Sequence, residues 1–125
     1  MVTLATGVIT TVAGTGDGTA VPYDASLVGP TAPMTRLTAL ALDSQGRLYF
    51  QTFWGDRGPT IMRMDSSGKM TLLVGGGSSV DAGVAPTDFA IGDVLGIAID
   101  PVTGDLLFCQ SDTKVYRVKG VAPPA

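Results

Sequence analysis

The chain has 125 residues, of which 45% are hydrophobic and 15% are charged; this is the apolar content of one globular domain and excludes a disordered tail. The net charge is −3, and the eight Lys and Arg residues form no cluster, so the chain carries no electrostatic footprint for nucleic acid or for an acidic membrane surface. His, Glu and Asn do not occur and Cys109 is the one cysteine, which excludes His-dependent triads, imidazole metal sites, an internal disulfide and a cysteine-based zinc site within one chain.

The first predicted element is a strand over residues 7–14, Gly-Val-Ile-Thr-Thr-Val-Ala-Gly, where a β-branched run is bounded by glycines. The same pattern returns at residues 68–75, Gly-Lys-Met-Thr-Leu-Leu-Val-Gly. Residues 15–36, which follow the first predicted strand, are rich in Gly, Pro and Ala. This composition is typical of a long connection and not of a core element.

Residues 37–74 predict four consecutive antiparallel strands. The apolar runs cover residues 37–43, 47–50, 60–65 and 69–74. The turn between Asp43 and Gly46 is a hairpin signal, because Asp caps the turn and Gly supplies a positive φ. Asp65 and Asp100 open turns in the same way, so all three carboxylates are predicted to cap backbone N–H groups and not to form a site.

Residues 94–119 repeat the first three of these strands, over 94–100, 105–109 and 114–119. Arg117 aligns with Arg63, and this recurrence at equivalent strand positions indicates an architectural role. The second copy lacks its fourth strand, and a strand of that type stands at residues 7–14. Two copies of one unit therefore account for most of the chain.

The inner strand of each copy is apolar on both faces, which is typical of a strand buried on both sides. Small residues keep one side of these strands slim: Ala39, Ala41, Gly96 and Ala98. Sheets stacked face to face around an axis need slim inner strands, because space is shortest where the sheets converge. The pattern predicts an all-β chain of two four-stranded β-propeller blades.

Five motifs carry a resemblance to a known family: 7–14 as above, Gly-Thr-Gly-Asp-Gly at 14–18, Leu-Gly-Ile-Ala-Ile-Asp at 95–100, Gly-Asp-Leu-Leu-Phe at 104–108 and Val-Tyr-Arg-Val at 115–118. Together they resemble the NHL-repeat β-propellers in their long-loop version. The resemblance covers residues 6–119 and implies a six-bladed fold in a family of protein-binding, RNA-binding and extracellular sensor domains. The chain departs from the family where an Ala-Asp pair is usual, since Gln51-Thr52 and Cys109-Gln110 stand there.

Two blades cannot close a ring, because each would leave a blade-sized apolar face open to water. Closure needs two, three or four copies, and the resemblance favours three. We therefore expect a homotrimer: residues 1–125 form one partial propeller, 37–74 the first blade, 94–119 the second, and 1–14 the outer strand of a neighbour's incomplete blade. The alternative is a piece of a longer propeller.

Any binding site is expected on the face where long loops emerge, over residues 15–36, 51–59, 75–93 and 110–113. The turn at 53–57 combines the one Trp with a charge pair, and Trp and Arg are frequent interaction anchors. The candidate binding residues are Tyr23, Phe53, Trp54, Asp56, Arg57 and Phe89. Packing over neighbouring loops is the structural alternative for the aromatic ones.

The predicted function is a non-enzymatic binding or interaction module that assembles with itself, with a protein or small molecule as the further ligand. Neither a cofactor nor a metal is predicted, although three copies of the long-loop Asp residues around one axis offer ligands for Ca²⁺. A ligand-free fragment, or an engineered or ancestral-type assembly, is one alternative. A lactonase-like metal-dependent hydrolase is another, but its Glu/Asn/Asp cage has no Glu or Asn to form from. No apolar run approaches the ~20 residues of a membrane span, so no membrane partner is expected.

Overall fold

The computed structural model describes residues 2–3, 8–9, 14, 37, 39–55, 58–65, 67–79, 83–92, 94–110 and 114–121. Its regular structure there is β-strand, apart from one 3-10 helix at Pro86–Asp88. No helix in these ranges is long and apolar enough to cross a membrane. The prediction of an all-β chain is confirmed.

The N-terminal strands form a small sheet of their own. β1 (Val2–Thr3) pairs antiparallel with β2 (Val8–Ile9). β2 lies within the strand predicted over 7–14, whose other residues, apart from Gly14, fall outside the described ranges. In the described part of the chain, β2 pairs with neither of the two larger sheets.

The first large sheet has the four predicted antiparallel strands in sequence order. They are β3 (Leu40–Leu42), β4 (Leu48–Trp54), β5 (Gly58–Met64) and β6 (Met70–Gly75). The loop predicted over 51–59 is wrong, because β4 and β5 stay paired as far as Trp54 and Gly58. Gln, Thr, Phe and Trp continue the strand after Phe50, since aromatic and β-branched residues suit a pleated, half-buried surface.

The second large sheet has three antiparallel strands, as predicted. They are β7 (Val94–Ile99), β8 (Leu106–Gln110) and β9 (Val115–Val118), again in sequence order. β9 occupies the place that β5 has in the first sheet. Among the described strands none pairs with the outer edge of β9, so this sheet is one strand shorter than the first.

The two sheets share one register. In the first sheet Leu40 pairs with Phe50, and Phe50 pairs with Met62. In the second sheet the equivalent residues repeat these pairs: Ile97 with Phe108, and Phe108 with Tyr116. Because a slip of one residue would move every side chain to the other face, the shared register means that equivalent positions face the same way in both sheets.

The main core lies between the two sheets. Tyr49, Ile61 and Val74 of the first sheet are buried together with Leu106 and Phe108 of the second. Ala39 and Ala41 contribute small side chains to the same contact, as the slim inner strand predicts. The packing places one face of the second sheet directly against one face of the first.

The segment between the sheets also enters this core, which the loose connection predicted over 75–93 did not anticipate. Phe89 and Ile91 are buried in it. The Ala90 amide donates to the Ser79 carbonyl at 2.7 Å, and the Ser79 amide donates to the Asp88 carbonyl at 3.0 Å. These hydrogen bonds fold the segment back on itself. Phe89 and Ile91, on either side of Ala90, are directed into the core.

Candidate functional site

Three of the predicted binding residues are described, and two of them are core residues. The side chain of Trp54 is fully buried (0% exposed) in β4, within the cluster of Phe50, Met62, Met64 and Met70. Phe53 is half-buried in the same strand. The turn predicted over 53–57 is therefore wrong for these two residues, because β4 continues through Trp54 and their side chains alternate between its two faces.

Phe89 is also buried, with 6% of its surface exposed. Its ring contacts the ring of Tyr116 with a centroid distance of 5.2 Å, and Tyr116 in turn stacks on Phe108 at 5.2 Å. This aromatic row joins the connecting segment to the second sheet, so the structural alternative holds for Phe89. The remaining candidates, Tyr23, Asp56 and Arg57, lie outside the described residues.

The carboxylate of Asp43 accepts four hydrogen bonds at the first turn of the first sheet. Its Oδ1 accepts from the amides of Gln45 and Arg47 at 2.9 and 3.0 Å. Its Oδ2 accepts from Arg47 Nε at 2.7 Å and from the Tyr49 hydroxyl at 2.8 Å. The prediction that Asp43 caps its turn is confirmed. Its carboxylate also binds the hydroxyl of Tyr49, which is a core residue.

Electrostatics at Asp43 follow from these contacts. Burial raises the pKa of this carboxyl, but the hydrogen bonds from Arg47 and Tyr49 outweigh burial and hold the pKa below its ordinary value. For Tyr49, burial and the hydrogen bond to the Asp43 carboxylate both raise the pKa of the hydroxyl. The pair is therefore most stable as a carboxylate beside a neutral phenol.

The other two predicted caps are confirmed as well. Asp65 Oδ1 accepts from the amides of Ser67 and Lys69, each at 3.0 Å, and the hydrogen bond from the Ser67 hydroxyl is the main cause of its lowered pKa. Asp100 Oδ1 accepts from the Val102 amide at 2.9 Å, which is the main cause of the lowered pKa there. These carboxylates hold turns.

Arg63 and Arg117 bind to the chain itself, in line with the predicted architectural role. Arg63 Nη1 donates to the Val121 carbonyl at 3.0 Å and so links the first sheet to the residue that follows the second. Arg117 Nη1 donates to Asp105 Oδ2 at 2.9 Å, while Asp105 Oδ1 accepts from the Gly120 amide at the same distance. The hydrogen bond from the Gly120 amide is the main reason for the lowered pKa of Asp105.

The described residues expose apolar surface to solvent on both large sheets. No group of three or more Asp or Cys side chains within these ranges is arranged to hold a metal ion. The face of the second sheet that points away from the first, called here the free face, includes Ala98, Leu107, Cys109 and Val115 around a shallow concavity of about 260 Å³. The half-exposed Arg117 pairs with Leu107 on the same face. Val115 is 72% exposed.

A second open apolar surface lies on the first sheet. Leu40 and Leu42 of the inner strand β3 are 67% and 58% exposed. They share a face with Phe50 and Leu48, opposite to the face that packs on the second sheet. Phe50, Met62 and Met64 on that same face are buried within one chain, so the open part of this face is its inner strand.

A groove of about 330 Å³ runs along the outer edge of β9 and is called here the β9 groove. One wall is formed by four consecutive residues of and after this strand, from Tyr116 to Lys119. The other walls come from the end of the first sheet, the connecting segment and β8, through Val74, Gly83, Val84, Pro86, Phe89 and Phe108. Consecutive residues alternate between the two faces of a strand, so a groove that contacts all four follows the backbone edge.

The sequence predicts an open blade face but not which residues form it. Leu40, Leu42 and Val115 were not singled out, although the inner strand that is apolar on both faces was the signal that such a face exists. The β9 groove was missed because it depends on how the connecting segment folds against the second sheet.

Comparison with known proteins adds no relative: no family model matches this chain, and no curated protein matches it.

Proposed function

We propose that this chain is a self-assembling, non-enzymatic interaction module, in which three copies join head to tail as one six-bladed β-propeller of the NHL-repeat type. The two sheets of one chain serve as two neighbouring blades. The homotrimer is the closed state in which each apolar blade face has a neighbour.

One observation carries the proposal: the free face of the second sheet is equivalent to the packed face of the first. Ala98, Leu107 and Val115 stand at the positions of Ala41, Tyr49 and Ile61 in the shared register. In the first sheet these positions contact the second sheet. The same face of the second sheet has no sheet in front of it within the described chain, so the contact between the two sheets is the template for a contact between chains.

The opposite side of the contact is equivalent along its inner strand, which is the open part of that face. Leu40 and Leu42 correspond to Ile97 and Ile99. Ile97 and Ile99 are partly buried against the core between the sheets, whereas the two leucines are exposed. Packing the free face of one copy on the inner strand of the next would cover both. A contact of two different surfaces repeats from copy to copy and closes into a ring when the rotation per copy fits.

The number of copies rests on the family resemblance. Propellers have about 4 to 8 blades, so two, three or four copies satisfy the geometry, and six blades are usual in NHL-repeat propellers. In such a ring the exposed residues of the connecting segment that do not line the β9 groove, Ala85, Thr87 and Asp88, would lie on the surface available to a protein or small-molecule ligand. The buried Trp54 is not proposed as part of that surface.

The experiment is a measurement of mass in solution by light scattering coupled to size exclusion. The expected result is three times the mass of the chain. The test variant is Val115→Asp, because the ring would bury the added carboxylate at the position that Ile61 fills in the first sheet, and removing a carboxylate from water costs several kcal/mol (about 3–5). We expect this variant to be monomeric.

The matched control is Val102→Asp, which adds the same charge at a valine that is 78% exposed in the turn before β8, away from the free face. It should retain the mass of the wild type. A wild-type chain that stays monomeric at high concentration would instead support the alternative of a piece cut from a longer propeller, whose further blades cover the same surfaces.

A further inference from the structure

We propose that the β9 groove holds residues 7–14 of a second copy of this chain, as the fourth strand of the second sheet and in the register of β6. The inference rests on the proposed assembly and adds to it the identity and the register of the strand that crosses between copies.

The acceptor is a strand edge with a groove beside it. β9 is the last of the described strands in the second sheet, and the groove follows its backbone from Tyr116 to Lys119. An edge strand presents a row of backbone N–H and C=O groups to a pairing strand, and an extended segment that adds there gains main-chain hydrogen bonds. The apolar walls at Val74 and Val84 suit the alternate side chains of such a segment.

The donor is indicated by its likeness to β6, which is the strand at this place in the first sheet. Residues 7–14 repeat the pattern of residues 68–75. The terminal glycines share a backbone conformation, since φ is +88° at Gly14 and +98° at Gly75. A Cβ on Gly75 would lie 2.7 Å from the Pro59 carbonyl of the neighbouring strand, whereas no atom of the described chain lies within 4 Å of that position on Gly14. Gly14 therefore has the positive φ with which Gly75 ends β6, but no described neighbour beside it.

Chain connectivity indicates that the strand is shared between copies. β6 is followed by residues 76–93 and then by β7, the inner strand of the next sheet. Residues 7–14 are followed by residues 15–36 and then by β3, the inner strand of the first sheet. The N-terminal strand therefore belongs to the sheet that precedes the first sheet in the ring, and that sheet comes from another copy.

The register follows from the first sheet. Met64 pairs with Met70 and Arg63 with Thr71. Transferred to the equivalent positions, Val118 pairs with Ile9 and Arg117 with Thr10. β2 pairs with β1 along one edge, and none of the described strands pairs with its other edge, so the N-terminal pair can dock on β9 as a unit.

The register can be tested by disulfide trapping on a Cys109→Ala background, in which the native thiol on the free face is removed. One chain carries Thr10→Cys, and a second chain, distinguished by an added mass tag, carries Arg117→Cys. Directly opposed residues in an antiparallel pair have Cα atoms about 4.5–5.5 Å apart, within the range of a disulfide. Mixing and oxidation should produce a heterodimer on a non-reducing gel. The Arg117 side chain is half-exposed (47%), whereas its partner Asp105 is 8% exposed. Asp105 keeps the hydrogen bond from the Gly120 amide in this variant, so the chain is expected to remain folded.

The control replaces Thr10→Cys by Thr11→Cys, because a shift of one residue turns the side chain to the other face. The expected result is loss of the heterodimer. A heterodimer that is equally abundant with both donors would overturn the register.

Light scattering on the same samples separates this inference from the proposed function. A trimer without a Thr10–Arg117 crosslink would overturn the strand exchange and leave the ring. A double variant with Thr10→Cys and Arg117→Cys that links only within one chain would also overturn the exchange. A monomer would overturn both.

Discussion

The two sheets have the same register and different edges. Leu40, Phe50 and Met62 in the first sheet and Ile97, Phe108 and Tyr116 in the second occupy the same cross-strand positions. Yet among the described strands the outermost one is β6 in the first sheet and β9 in the second, which has one strand fewer. Equivalent positions of the two copies therefore face the same side of their sheets. The number of strands, in contrast, decides which surfaces remain exposed.

Polar anchoring separates the two sheets as well. In the first sheet Asp43 binds Arg47 and Tyr49 within its own hairpin. In the second sheet the position of Arg47 is taken by Asp105, which binds Arg117 and the Gly120 amide instead. Asp105 therefore links the start of β8 to the end of β9, and the same architecture is held by a different set of charges.

The largest effect is expected where the two sheets meet. Phe108 is 2% exposed and lies in the core between them. Phe108→Ala should lower the free energy of unfolding by about 3–5 kcal/mol, through lost burial and the cavity left behind. Urea unfolding followed by the fluorescence of Trp54, which lies in the first sheet, measures it. The exposed Val102→Ala should change the value by less than about 0.5 kcal/mol. An unchanged midpoint for Phe108→Ala would mean that the sheets do not stabilise each other.

The next effect tests the difference between the two hairpin caps. Asp43→Ala removes the acceptor of the Arg47 guanidinium and of the Tyr49 hydroxyl, and should cost about 2–3 kcal/mol because these donors lose their partner. Asp100→Ala, at the equivalent turn, removes an exposed carboxylate that accepts a hydrogen bond from the Val102 amide. This change should lower the free energy of unfolding by clearly less. Chemical denaturation of both variants gives the comparison. Equal losses would show that Asp43 acts as a turn cap alone.

A smaller effect is expected in the turn itself. Gly46 has φ +79° and no atom of the described chain within 4 Å of a Cβ position, so Gly46→Ala adds backbone strain without a clash. We expect a loss of about 1–2 kcal/mol, the cost of the left-handed conformation for an L-residue. Ser44→Ala in the same turn serves as the control and should be near neutral. Thermal unfolding by circular dichroism measures both, and a neutral Gly46→Ala would contradict the requirement for glycine.

The smallest effect concerns acid stability. The pKa of Asp43 is lower in the folded chain than the usual value of about 3.9 in an unfolded chain. Just below pH 4 the unfolded state therefore binds more protons, and stability falls as the pH falls through the folded pKa. Asp43→Asn should flatten this acid dependence between about pH 5 and pH 2, relative to wild type. Denaturation midpoints across that range measure the slope, and parallel curves would exclude Asp43 as a contributor.

Much of the fold follows from local chemistry. Alternating apolar runs separated by Asp and Gly turns predict each strand of the two large sheets, because turn residues and side-chain period act over a few positions. The capping roles of Asp43, Asp65 and Asp100 follow for the same reason. The end of β4 was missed, since Trp54 followed by Gly has the composition of a turn as well as of a strand.

The candidate binding residues were predicted less well from the sequence, because the burial of a side chain depends on residues far away in the chain. Trp54 and Phe89 have the chemistry of interaction anchors in the sequence, and both are buried in the fold. No local pattern distinguishes an aromatic residue that meets a ligand from one that meets another sheet.

The sequence by itself determined the repeat and the strand order along each sheet, since these depend on short-range period and turn chemistry. Only the tertiary structure decided which faces pack together, which apolar residues remain open and that a groove follows the edge of β9. Those features arise from contacts between segments far apart in the chain, whose cost and gain depend on the area removed from water and not on sequence spacing.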